Sequence, residues 1–191
     1  LEDARRHQVE VRPVDVLFSS WESSLETDVS PPAVRLGLHL IRGLSKAARQ
    51  RLESVMSEGR LDSFEALASR MGREGLDDQI LLILARAGAL RSLWPGRRKA
   101  LWEVLKQVKQ RHCPLNLFDT PRPHPDVVLP TMDDLEETVM DYKMLGLSHA
   151  HHPMSFHRQH LRHQGVLSAR ELQDANPFTT VWVSGIVICR Q

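Results

Sequence analysis

Cysteine is almost missing from this sequence: Cys113 and Cys189 are the only two in 191 residues, far apart and with no second pair nearby. That excludes a disulfide framework and a cysteine-based zinc site, and reduced structural thiols are the simple reading. Long apolar runs are missing too. Nothing approaches the roughly 18 consecutive apolar residues of a membrane span, and Leu1-Glu2-Asp3-Ala4-Arg5-Arg6 does not begin a secretory signal. No membrane contact and a cytoplasmic setting are expected.

Signatures of catalysis are absent as well. The chain has no D-x-D, no G-x-S-x-G and no Walker-type glycine loop, and neither cysteine has an identifiable local base. Its adjacent acid pairs, Asp77-Asp78 and Asp133-Asp134, stand at predicted helix starts, where neighbouring side chains diverge by about 100° around the axis. They read as caps, not as the converging carboxylates that paired metal ions require. His149, His151, His152, His157, His160 and His163 raise a metal hypothesis, because imidazoles three apart on a helix share a face. No Cys, Asp or Glu joins them between 148 and 165, so a histidine-rich surface helix is expected instead. No catalytic residue, metal ligand or cofactor is assigned to the chain itself.

What is present is a hydrophobic content of 41% with 26% charged residues, enough for one ordinary core or two small ones. The net charge of +1 conceals a strong polarity. Residues 31–111 hold 16 Lys+Arg against 8 Asp+Glu, a net of +8, while the remainder holds 9 against 16, a net of −7. Clustered cations raise the local potential that attracts phosphates, so the middle of the chain is expected to face a polyanion; a merely solvated basic face is the alternative.

Along the chain, residues 9–17 alternate apolar and polar around Pro13, as an edge strand or extended connection does. After Pro31-Pro32, the apolar residues Val34, Leu36, Leu38, Leu40 and Ile41 predict a short helix ending at Gly43, and Ser45 stands at the N-cap of a second helix through Ala48, Leu52 and Val55. Asp62 and Glu65 suggest a capping box for a short helix with Phe64, Leu67 and Met71 inward. Asp77 caps the next helix, which ends at Ala87-Gly88-Ala89, and residues 98–109 return to helical spacing. The helix-hairpin-helix shape is therefore expected twice. Five prolines between 111 and 131 mark a linker or crossing segment; a T-x-x-D cap at Thr131 opens another helix to Gly146, and Ser168 caps a short one. Residues 180–190 read as a strand apolar on both faces, which must pair with the N-terminal extended segment or with chain beyond Gln191; with the missing initiator methionine this suggests a fragment.

The first hairpin has the physical logic of a phosphate grip. Gly43 permits a positive φ, the amides at the following helix start can point at an anion, and Arg42, Lys46 and Arg49 add charge around Leu44 and Ser45. In the second, Arg86, Gly88 and Arg91 are followed closely by Arg97, Arg98 and Lys99. An ordinary αα-hairpin and a solvated charge run are the bland alternatives. Pro114-Leu115-Asn116-Leu117-Phe118 is similar to the L-x-L-F pentapeptides with which polymerases dock on the sliding clamp, without the usual leading glutamine.

A family resemblance runs through nearly the whole chain. Asp3-Ala4-Arg5-Arg6-His7, Val9 to Val16, Ser20-Trp21 and Leu25-Glu26 resemble the end of the fingers region of the bacterial DNA polymerase III alpha subunit family. Val34-Arg35-Leu36-Gly37-Leu38 and Arg42-Gly43-Leu44-Ser45 resemble its helix-hairpin-helix entry, and Ser63 to Leu67 with Ala87-Gly88-Ala89-Leu90 and Arg98 to Trp102 its second hairpin. Asp141-Tyr142, Leu145-Gly146-Leu147-Ser148, His152-Pro153-Met154, Gly165-Val166-Leu167 and Val183 to Val187 are closer to its error-prone, ImuC-type branch. Ser45 departs from a glycine usual at that hairpin, and alanines flank Gly88.

The resemblance implies a mainly α chain: the end of the fingers region over 1–30, a tandem helix-hairpin-helix module over 31–111, a proline-rich linker over 112–131, a helical connecting region over 132–175, and over 176–191 the first strand of a truncated OB fold. It implies a parent DNA-directed DNA polymerase, using Mg ions bound outside this chain, that serves damage tolerance and induced mutagenesis with mutasome proteins. This part would grip duplex DNA without sequence specificity and be inactive alone. The rivals are a protein-interaction module docking mutasome partners or the clamp and, more weakly, a helix-hairpin-helix glycosylase.

Overall fold

The proline pair at 31–32 is followed by a strand, not by the predicted helix. The computed structural model describes residues 2–59, 63–112 and 127–187, and divides into one compact unit up to His149 and another from Ala150. In the first unit a short helix α1 (Glu2–Arg6) precedes strands β1 (Val11–Arg12), β2 (Ser24–Glu26) and β3 (Ala33–Arg35). β3 is central, parallel to β1 with Val11 opposite Val34, and antiparallel to β2 with Leu25 opposite Val34. The apolar residues 34, 36, 38 and 40 recur every second position, a strand period that their overall apolarity disguised. Only the three residues Leu38–Leu40 turn helically, as a 3-10 turn.

Arg35 locks the small sheet. Its guanidinium donates to both carboxylate oxygens of Glu26 at 2.6 and 3.2 Å and to the Pro13 carbonyl at 3.0 Å, and Arg12 pairs with the same Glu26. These hydrogen bonds, Arg35's first, hold the Glu26 carboxyl below the ordinary carboxylate range. Gly37 follows, where a Cβ would overlap the backbone of Trp21 and Glu22, while its amide donates to Ser23 Oγ at 3.0 Å. Gly37→Ala is expected to cost about 1–3 kcal/mol, as forced overpacking does. Gly72→Ala, at a helical site with nothing within 4 Å, should be neutral or stabilising. Urea melts of the two variants check this, and equal midpoints would contradict the close approach.

Helices α2 (Lys46–Ser57), α3 (Phe64–Arg73), α4 (Asp78–Ala87), α5 (Arg97–His112) and α6 (Asp134–Leu145) complete the unit. Each begins where a side chain satisfies an amide that the helix itself cannot, as far as caps are described. Ser45 accepts from Ala48, Ser63 from Ala66, Asp77 from Gln79, and Asp133 from Glu136 in a reciprocal capping box. Two caps differ from expectation: α3 uses Ser63, the expected Asp62 lying outside the described residues, and α6 uses Asp133 rather than Thr131. In each the chain turns helical later than the first polar residue that could cap.

Leu52, Leu67, Leu81, Leu84, Leu90 and Val104 are fully buried where α2, α3, α4 and α5 face one another. Asp15 ties the N-terminal segment to this core. Buried itself, it accepts from the Leu17 amide at 2.9 Å and from the amide and hydroxyl of Ser92 at 3.1 and 2.7 Å, while the Val16 amide donates to the Ala89 carbonyl at 2.8 Å. Residues 14–17 are thus part of the wall around the second hairpin.

The second unit holds α7 (Pro153–His163), β4 (Val166–Leu167), α8 (Ala169–Gln173) and β5 (Trp182–Val183). The histidine-rich helix starts at Pro153, with His152 as cap, so His149, His151 and His152 precede it. Ser168 and Glu171 form the expected capping box, and the Ser168 hydrogen bonds, helped by Arg162 at 2.9 Å, pull the Glu171 carboxyl down to about 2. The strand predicted over 180–190 appears as Trp182–Val183, parallel to Val166–Leu167 rather than paired with the N-terminal segment; residues 188–191 lie outside the described residues. The fold is mainly helical with a few short strands. No helix among the described residues is long and apolar enough to cross a membrane.

Candidate nucleic-acid interface

The turn before α2 leaves donors facing outward. Gly43 sits at φ 93°, a left-handed conformation suited to glycine, and a Cβ there would lie 3.3 Å from the Ile83 side chain of α4. Ser45 Oγ takes the Ala48 amide at 3.1 Å, and the Ser45 carbonyl takes the Arg49 amide at 2.9 Å. The amides of Lys46 and Ala47, in the first turn, have no intrahelical acceptor, and none is found for them among the described residues. The serine in place of glycine therefore occupies one amide and spares two.

Three cations of the two hairpins are exposed without a carboxylate partner among the described residues: Arg42, Lys46 and Arg86. Lys46 opens α2, and Arg42 precedes the glycine. Arg86 lies three residues beyond Ile83 on α4, hence on the same helical face about one turn from the side chain that meets Gly43. Packing of α4 beneath the turn thus brings a cation of the second hairpin beside the first. Arg49 differs: it pairs with Glu53 at 3.1 Å and lies over the Trp21 ring, 5.1 Å from its centre. Leu44 is half-buried and packs against the core.

Of the other cations of the second hairpin, three arginines turn to acids of α6 and Lys99 to one of its own helix. Arg97, expected to face phosphate, has a side chain only 3% exposed; it lies 2.5 Å from Asp141, 3.3 Å from Glu137, and donates to the Glu137 and Ala87 carbonyls. Arg91 pairs with Glu137 at 2.9 Å and Arg98 with Glu136 at 2.6 Å, while Lys99 pairs with Glu103 at 3.2 Å. Gly88 ends α4 at φ 77°, and a Cβ there would lie 2.9 Å from the Arg97 guanidinium, so this glycine makes room for a buried arginine. The +8 of residues 31–111 is in part answered within the unit by acids of the −7 remainder. Glu137 and Asp141, four residues apart and so on one face of α6, were the visible signal for it.

These acids do not form a metal site. Asp77 and Asp133 cap helices, Glu136 and Asp141 face arginines, and among the described residues no group of three His, Cys, Asp or Glu converges as a metal ion requires. Pro114 to Phe118 lie outside the described residues.

A family model described as a helix-hairpin-helix motif matches residues 8–100. An error-prone DNA polymerase of Pseudomonas fluorescens is 38% identical over 194 residues, covering all of this chain and 18% of that protein. One from Dechloromonas aromatica is 39% identical over 192 residues, again covering the whole chain and 18% of the relative. A third, from Methylococcus capsulatus, is 34% identical and matched over 20% of its length. The chain thus spans about a fifth of the length of these curated relatives.

Proposed function

We propose that this chain is the duplex-gripping part of an error-prone DNA polymerase and holds DNA by its phosphates at the first hairpin. The observation that carries the reading is that Arg42, Lys46 and Arg86 are exposed without a carboxylate partner among the described residues, as the amides of Lys46 and Ala47 are without an acceptor. Backbone amides and point charges of this kind position a duplex without reading its bases. Leu44 and Gly43 shape the turn, and Arg49 supplies further charge when phosphate competes with Glu53. Arg91, Arg97, Arg98 and Lys99 act in this reading through the fold, by fixing α5 and α6. The relatives are named as polymerases, and the parent protein is accordingly read as a nucleotidyltransferase in cytoplasmic damage-induced mutagenesis and translesion synthesis, with mutasome proteins and the sliding clamp as partners. Its Mg ions and polymerising carboxylates would lie outside this chain, which is then inactive alone.

Fluorescence anisotropy with a labelled duplex across a salt series tests the grip. Engagement of two to three phosphates gives a slope of log K against log salt of about −2 to −3, alike for unrelated duplex sequences. A protein-interaction module is the second reading, favoured by the exposed Leu135, Val139 and Tyr142 along one face of α6. It leaves duplex affinity negligible even at low salt.

A further inference from the structure

We infer that the C-terminal end of α6 is a positioning element of the first hairpin, and that Gly146 is the residue through which it sets Arg42. The inference rests on the phosphate-grip reading but has its own geometry. The Arg42 amide donates to the Met144 carbonyl at 2.8 Å, so the hairpin backbone is joined to the last turn of α6. Gly146 caps that helix at φ 78°, its amide donating to Tyr142. The Arg42 side chain lies across the glycine: a Cβ at 146 would come within 2.7 Å of Nη2, 3.4 Å of Cζ and 3.7 Å of Nε.

A cation over the carbonyl end of a helix is held by the partial negative charge there, without a hydrogen bond that would consume its donors. No side-chain hydrogen bond or ion pair is found for Arg42 among the described residues. It is therefore kept in place yet available to an anion, which is what preorganisation for a phosphate requires. The glycine is needed for two independent reasons, its left-handed φ and the space above it. Only the second concerns Arg42. The atom in the way is the far end of a long side chain, so a substitution at 146 displaces the guanidinium rather than the fold.

Gly146→Asn separates the two reasons, because asparagine tolerates the left-handed conformation but carries a Cβ. Gly59→Asn is the matched control, at φ 100° with nothing within 4 Å. In the 191-residue chain without DNA, the Arg42 Nε–H resonance should shift and its order parameter fall in Gly146→Asn and stay unchanged in Gly59→Asn. With duplex, Gly146→Asn should weaken binding about fivefold and lower the magnitude of the salt slope by about 0.9, Arg42→Ala should do the same, and the two together should do no more than either alone. An unmoved Arg42 resonance, or losses that add in the double variant, overturns the role of Gly146. Absence of salt-sensitive binding in the unmodified chain, with the Arg42 resonance shifting as stated, overturns the grip and leaves the packing of Arg42 on α6 standing.

Discussion

Asp141→Ala is expected to destabilise the first unit by about 3–5 kcal/mol, because it leaves a buried guanidinium without its main partner. Both side chains are 3% exposed, and Asp141 also accepts from Ser148 Oγ at 3.0 Å. Glu137, 3.3 Å from Arg97 and more exposed, compensates in part, which favours the lower end of that range. Asp141→Asn keeps one acceptor oxygen for Arg97 but loses the charge and puts an amide donor where the other oxygen accepted from Ser148, so its cost should be intermediate. Urea denaturation followed by circular dichroism, with an unchanged m-value, reads the difference directly. A loss under about 1 kcal/mol for Asp141→Ala would mean that water or Glu137 fully replaces the carboxylate.

The second large effect is on binding. Lys46→Glu should weaken duplex affinity about tenfold or more at low salt, for all sequences alike, and reduce the magnitude of the salt slope by about 0.9 or more. Two effects act together. One cation is lost, and the new carboxylate stands in the first turn of α2, where it competes with phosphate for the amides of Lys46's own position and Ala47. An acid at that place favours the helix, so the fold should be unharmed and reduced binding cannot be laid to unfolding. Lys99→Gln serves as comparison: Lys99 already pairs with Glu103, and its loss should leave the slope nearly unchanged. Equal losses in the two variants would argue for a diffuse basic surface, and no loss with Lys46→Glu would remove the first hairpin from the interface.

Legibility differed by the range over which each signal acts. Caps and amphipathic helices are local, and Ser45, Asp77 and Ser168 do as their positions promised, as do Phe64, Leu67 and Met71 along one face of α3. Residues 33–40 misled because a strand is made by its neighbours: Val34 is extended since Val11 and Leu25 lie on either side of it, from segments 23 and 9 residues away. The candidate site divides in the same way. Arg42, Gly43 and Lys46 were recognisable from the turn, whereas nothing near Arg97 announced that its partners would be 40 and 44 residues downstream.

By itself, therefore, the sequence determined a mainly helical chain, where most of its helices begin, and the turn that can offer amides to an anion, because these depend on backbone preferences within a few residues. Which cations remain free was decided only by tertiary structure. Charge counts along the chain cannot separate an arginine that faces water from one neutralised by a distant carboxylate. Burying Arg97 against Asp141 and leaving Arg42, Lys46 and Arg86 outside follows from how α4, α5 and α6 pack, since a guanidinium removed from water must meet an acid there.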